Sequence, residues 1–252
     1  MKTIAIINQK GGVAKSTTAL ALGAGFLSKG ERVLFVDLDA QGNLSYTLSA
    51  AAQPSVYEAL VKSKGALECV QALSDSEKSG ILASSPALAT ADIALTATGK
   101  EYRLREALEA LGSAYDLCII DTPPSLGILT INALTAAGGV IIPAQADIFS
   151  LQGIQQLHDT LEVTRRYCNS ALKVLGIVLT RFQKRAIISR EVADMLSETA
   201  SALGTKLFST RIRECTALKE AQARRESIFT YAPSSNAALD YKELFKEVQE
   251  SM

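Results

Sequence analysis

The first 28 residues constrain the fold most. Thr3-Ile4-Ala5-Ile6-Ile7 is an unbroken apolar run, the pattern of a parallel strand buried on both faces. Thr18 to Ser28 is rich in Ala and Leu and reads as a helix. Between them lies Asn8-Gln9-Lys10-Gly11-Gly12-Val13-Ala14-Lys15-Ser16-Thr17. A strand, a glycine loop and a helix in that order make an anion site. Loop N–H groups turn inward, and the helix N-terminus adds partial positive charge. The ligand expected is a polyphosphate, with Lys15 on its β- and γ-oxygens and the Ser16 hydroxyl on Mg²⁺.

The general phosphate-loop pattern, G-x-x-x-x-G-K-[ST], is not met, because Gln9 and Ala14 stand where its two glycines belong. Two further carboxylate signals follow. Val33-Leu34-Phe35-Val36 reads as a second buried strand and runs into Asp37-Leu38-Asp39-Ala40-Gln41-Gly42. Alternation puts Asp37 and Asp39 on the same side of the chain, where carboxylates beside a phosphate loop suit metal and water handling. A strand-end turn favours Asp and Gly by itself. Leu117-Cys118-Ile119-Ile120 then ends in Asp121, and Pro123-Pro124 stops the strand. A carboxylate so placed can hold a Mg²⁺-bound water beside a γ-phosphate.

Strands are also expected at Gly80–Ser85, Gly139–Pro143 and Val174–Arg181, and helices at Val56–Leu60, Tyr102–Leu111, Ser150–Cys168, Ile187–Leu203 and Ala237–Glu250. Strands alternating with helices describe an α/β fold: a doubly wound, mostly parallel sheet with helices on both faces. The glycine and acidic motifs all fall at strand carboxyl ends, where such sheets bind ligands. No linker, repeat or low-complexity segment interrupts residues 1–252, so a single domain is expected.

With two lysines, Lys10-Gly11-Gly12-x-x-Lys15-Ser16-Thr17 resembles the deviant Walker A motif of the ParA/MinD superfamily. The Asp39 segment is similar to that family's too, with Ala40 where Pro is usual, and Ala14 replaces its commoner Gly. The likeness extends from Lys2 to about Val248, with Phe208–Ile212 and Thr216–Ala223 similar to the family's late strand and helix, and is nearest to short ParA proteins of the Soj type. With Lys10 so near the start, no N-terminal helix-turn-helix domain is expected. The resemblance implies an ATP- and Mg²⁺-dependent ATPase. Lys10 would cross a homodimer interface to the partner's nucleotide, Asp39 would orient or activate the attacking water, and Asp37 and Asp121 would support Mg²⁺ with Ser16. Gly11, Gly12, Val13, Ala14, Lys15, Ser16 and Thr17 would hold the phosphates. Thr180 and Arg181 would approach the adenine, and the loop at Pro233 would close over it.

Net charge is zero, so overall charge names no partner. The span Arg181–Arg225 is nonetheless basic. Arg181, Lys184, Arg185, Arg190, Lys206, Arg211, Arg213, Lys219, Arg224 and Arg225 face Glu191, Asp194, Glu198, Glu214 and Glu220. A solvated surface with salt bridges would also read so. In a ParA-like chain it implies a sequence-independent surface for double-stranded DNA, with Arg213, Lys219, Arg224 and Arg225 its foremost residues and Lys242 and Lys246 extending it. A centromere-binding ParB-type partner would stimulate hydrolysis, at the nucleoid in the cytoplasm.

The competing reading is a MinD-like membrane ATPase, which needs a basic terminal amphipathic helix. Here that helix ends Phe245-Lys246-Glu247-Val248-Gln249-Glu250, so no stable membrane association is expected. Cys69, Cys118, Cys168 and Cys215 lack paired spacing, which disfavours an iron–sulfur carrier or a disulfide framework and fits a reducing cytosol. His158 reads as a surface residue. A purely structural nucleotide is disfavoured by the intact Lys15, Asp39 and Asp121.

Overall fold

The structure is a computed structural model that describes residues 1–73, 78–183 and 187–252, the side chains of 148 and 187–190 excepted. Eight strands are present among these residues. They are β1 (Lys2–Ile6), β2 (Val33–Asp37), β3 (Val70–Ala72), β4 (Ser79–Leu82), β5 (Leu117–Asp121), β6 (Gly139–Gln145), β7 (Lys173–Phe182) and β8 (Leu207–Arg213). They form one sheet in the order β3-β4-β2-β5-β1-β6-β7-β8. Every neighbouring pair is parallel except β3 with β4, which is an antiparallel edge.

The apolar runs have two jobs, because alternate residues of each strand enter opposite cores. Ile4, Ile6, Val33, Phe35 and Ile119 pack on one face, against Leu22 and Phe26 of the helix Lys15–Ser28 and Tyr241, Leu244 and Val248 of the helix Asn236–Ser251. Ala5, Leu34, Val36, Cys118 and Ile120 pack on the other. There they meet Leu134 of the helix Ile128–Ala136, Leu157 of Ile148–Tyr167 and Leu196 of Ile187–Ala202. Close approach of the first helix depends on Gly23, where a Cβ would sit 2.2 Å from the Phe35 ring.

The helix Ile128–Ala136 and the strand β3 are among the elements that carry no clear sequence signal. Ile128–Ala136 is apolar nearly all round and rich in Ile and Thr, so its pattern shows no helical stripe and does not separate helix from strand. The edge strand β3 has three residues, too few for alternation to register. Register matters most for function. Ile6 and Asp37 both stand beside Asp121, so the ends of β1, β2 and β5 lie level and their loops share one rim of the sheet.

Candidate nucleotide-binding site

The loop after β1 is tied from behind, which leaves its front free. The Asn8 amide donates to the Pro143 carbonyl (2.7 Å), and its Oδ1 accepts from the Lys10 N–H (2.9 Å). The Gln145 amide donates to the Gly12 carbonyl (3.0 Å), and the Thr180 hydroxyl donates to the Val13 carbonyl (3.0 Å). The first helical bond runs from Thr18 N–H to the Ala14 carbonyl, and no side chain caps this helix. The Lys15, Ser16 and Thr17 amides thus begin a helix whose N-terminal donors need an external acceptor. Gly12 (φ 76°) and Ala14 (φ 67°) are both left-handed. Glycine takes that conformation freely, whereas the Ala14 methyl costs about 1–2 kcal/mol.

Lys15 is buried, and its Nζ donates to the Lys10 carbonyl (3.3 Å). Burial lowers its pKa, while the Asp121 and Asp39 carboxylates work against that. Lys10 turns elsewhere. Its ammonium pairs with Asp147, whose other oxygen caps the helix Ile148–Tyr167 by accepting from the Ser150 N–H (3.1 Å).

Asp37 and Asp121 are fully buried neighbours. Asp37 is well partnered: it accepts from Asp39 N–H (3.1 Å), Ser45 N–H (2.8 Å) and the Ser45 hydroxyl (2.7 Å). Ser84 N–H in turn donates to the Ser45 oxygen (2.8 Å). Burial still outweighs these bonds and pushes the Asp37 carboxyl up to about 6. Asp121 has no hydrogen-bond partner on either oxygen. Burial pushes its carboxyl well up, the Asp37 charge adds to this, and the Ser16 hydroxyl and Lys15 ammonium oppose it. An orphaned buried carboxylate beside a hydroxyl is a hard-oxygen setting that fits Mg²⁺. No cluster of three His, Cys, Asp or Glu ligands exists among the described residues. Nucleotide-bound Mg²⁺ needs fewer, because phosphates and waters complete its shell.

Asp39 lies past the strand end and lines a cleft of about 600 Å³. Its Oδ1 accepts from Gln41 N–H (3.0 Å), and its carbonyl accepts from Gly42 N–H (2.8 Å) and the Ser84 hydroxyl. Gly11, Gly12, Ala14, Lys15, Ser16 and Thr17 line the phosphate end. Thr180, Arg181, Ile212 and Leu218 line the cleft as well. Arg181 (φ 51°) pairs with Glu214 (2.9 Å). Val13 faces the core, and Pro233 sits between the helices Ile228–Tyr231 and Asn236–Ser251, not among the lining residues.

The basic residues divide in two. Arg213 and Lys219 line the nucleotide cleft. Arg213 is also committed to Asp240, through Nη2 (2.6 Å), Nε (2.9 Å) and its own backbone N–H (2.9 Å). Arg224, Arg225, Lys242 and Lys246 gather instead around a second cleft. Lys184 and Arg185 lie outside the described residues, as does the side chain of Arg190. Sequence reasoning missed several supporting groups. Asp147, Ser84 and Ser45 have no motif of their own around them. Gln222, whose amide donates to the Thr17 hydroxyl (2.8 Å), carries no local signal either. Cys118 is core, and His158 lies within 4 Å of Asp159 and Glu162 on its own helix.

A family model described as an AAA domain matches residues 1–174. The chain is 39% identical over 251 residues to the sporulation initiation inhibitor protein Soj of Bacillus subtilis, covering 98% of both chains. It is 39% identical over 250 residues to the chromosome-partitioning ATPase Soj of Thermus thermophilus, covering 98% of this chain and 95% of that one. Among solved structures it resembles a cobyrinic acid a,c-diamide synthase from Mycobacterium smegmatis with bound ADP and magnesium. That likeness has a TM-score of 0.82 and 32% identity, over 98% of this chain and 93% of the other.

Proposed function

The chain belongs to the Soj/ParA family of partitioning ATPases, and from that premise we propose an ATP-gated cycle in which a homodimer binds DNA and a partner resets it. One observation carries the ATP site: the free helix N-terminus, Lys15, Ser16 and Asp39 meet in one cleft above an orphaned Asp121. Lys15 and the amides of residues 11–17 bind the phosphates. Ser16 and Asp121 hold Mg²⁺, which when bound neutralises charge on the phosphate oxygens. Asp39 orients or activates the attacking water. Asp37 supports the Mg²⁺ shell from behind and fixes the Asp39 turn through Ser45 and the Asp39 N–H. Thr180 and Arg181 bound the base end.

Lys10 reaches the phosphates of the second subunit once it leaves Asp147. Arg224, Arg225, Lys242 and Lys246 offer charge to duplex phosphates, and a dimer joins two such patches on one duplex. Arg213 and Lys219 lie on the nucleotide side instead, and Arg213, already neutralised by Asp240, adds no free charge for the duplex. A ParB-type centromere-binding protein stimulates turnover, and the dimer works on the nucleoid in the cytoplasm. The MinD-like alternative loses support from the last helix, whose Tyr241, Leu244, Phe245 and Val248 are already buried in the core. No helix among the described residues is long and apolar enough to cross a membrane.

The test is ATP turnover with and without duplex DNA and a centromere-binding partner, on wild type and Asp39→Ala. Losing a positioning carboxylate should slow single-turnover hydrolysis by about 10²–10⁴-fold with ATP still bound. Unchanged single-turnover rates would remove Asp39 from the chemistry, and turnover indifferent to both additions would remove the partitioning cycle.

A further inference from the structure

A second cleft of about 980 Å³ opens beside the nucleotide site, along the rear of the helix Lys15–Ser28. Its lining joins two chemistries. Leu20, Leu27, Leu48, Phe229 and Phe245 are apolar. Lys29, Arg224, Arg225, Lys242 and Lys246 are cationic, against Glu226 and Glu243. Lys246 is paired with Glu243 (2.7 Å). Arg225 and Lys242 rest on the Tyr46 and Phe229 rings (4.3 and 5.9 Å), contacts that leave their positive charge intact.

We propose that this cleft docks an acidic amphipathic segment of a partner protein, its apolar side chains on the floor and its carboxylates against the rim. Charge complementarity selects the acidic occupant, and the apolar lining selects one with side chains to bury. Duplex phosphates can use the rim cations, as proposed above, but they leave such a floor unused. A membrane needs an apolar face that can sink into the headgroup boundary, whereas this one is recessed. A second copy in a two-fold contact would set one basic rim against its twin.

Thr47 lines both clefts, and Tyr46, which lines the nucleotide cleft, carries Arg225 on its ring. Both belong to the helix Asn43–Thr47, which follows the Asp39 turn. Docking therefore bears on the segment that carries Asp39; this coupling, unlike docking itself, rests on the role proposed for Asp39.

The probe is a fluorescein-labelled helical peptide of about 14 residues built from Glu and Leu, with Lys/Leu and Glu/Ser twins, followed by anisotropy on the full chain. The Glu/Leu peptide should bind, and both twins should bind at least about tenfold more weakly. Lys29→Glu with Lys242→Glu should weaken it at least about tenfold. Leu48→Asn should weaken it severalfold while affinity for a duplex stays at the wild-type value. Melting curves confirm that each variant folds, and the surface charge pair serves if Leu48→Asn does not. Absence of Glu/Leu binding, or equal binding of the Glu/Ser twin, would overturn the proposal. So would Leu48-dependent binding to phosphatidylglycerol vesicles, or Leu48-dependent self-association, in place of peptide binding. Peptide binding without any duplex binding would sink the DNA reading and leave this one standing.

Discussion

Asp147→Asn is the substitution that most directly tests the proposal that nucleotide binding leads to dimerisation. Asp147 does two things at once. One oxygen caps the helix Ile148–Tyr167 and the other holds the Lys10 ammonium. Asparagine caps a helix as well as aspartate does but carries no charge, so the substitution releases Lys10 and spares the helix. Both side chains are about one-third exposed (35% and 32%), so solvent screens the pair. Its strength then falls in the range for exposed ion pairs, about 0.2–1 kcal/mol. A two-fold dimer breaks two of them, about 0.4–2 kcal/mol, which is roughly a 2–30-fold tighter dimer in the variant. Sedimentation velocity with ATP in an Asp39→Ala background measures this directly, because on the proposed cycle blocked hydrolysis holds the dimer. The gain should shrink in high salt, as screened pairs do. It should disappear in Lys10→Ala, where no ammonium remains to be released. A dimer that is no tighter in low salt, or one equally tightened without Lys10, would refute the idea that Asp147 holds Lys10 back.

Three further outcomes follow from the same geometry. Nucleotide-free protein should lose stability as pH rises from 5 to 7.5. Asp37 goes from the usual 3.8 to about 6, so the folded state binds the proton more tightly. The penalty grows from the unfolded toward the folded value, reaching about 3 kcal/mol in all and on the order of 1 kcal/mol above pH 5. A melting temperature that rises across that window would contradict the buried charge. Ala14→Gly should raise the melting temperature by about 1–4 °C, since the left-handed strain goes while unfolded-chain entropy returns only part of the gain. A lower value by calorimetry would mean that Ala14 is not strained. Arg224→Ala should make the salt dependence of duplex binding shallower by about 0.9 in log–log slope per protomer. Arg213→Ala should leave that slope unchanged, because Asp240 already neutralises it; mobility shifts at several salt concentrations would expose the reverse.

Local pattern in the chain was enough to specify the α/β architecture. Doubly buried parallel strands must be apolar throughout, a phosphate loop must place glycines and lysines at set spacings, and a carboxylate must follow a strand end to reach the rim. So residues 10–17, Asp39 and Asp121 stood out from the sequence, and register then levelled β1, β2 and β5 beneath them. The tertiary structure alone decided where the long cations and the supporting polar groups went. Arg213 and Arg224 look alike in a charge count. Yet Arg213 ends β8 beside Asp240 of the last helix, while Arg224 ends its own helix on the Tyr231 ring. Lys10 meets Asp147 across 137 residues of chain, and Ser84 supports the Asp37–Ser45 turn from another strand's end. Backbone periodicity is written in neighbouring residues and can be read from them. The partner of a flexible charged side chain is whichever distant group the sheet order brings within hydrogen-bonding reach, and nothing local encodes that.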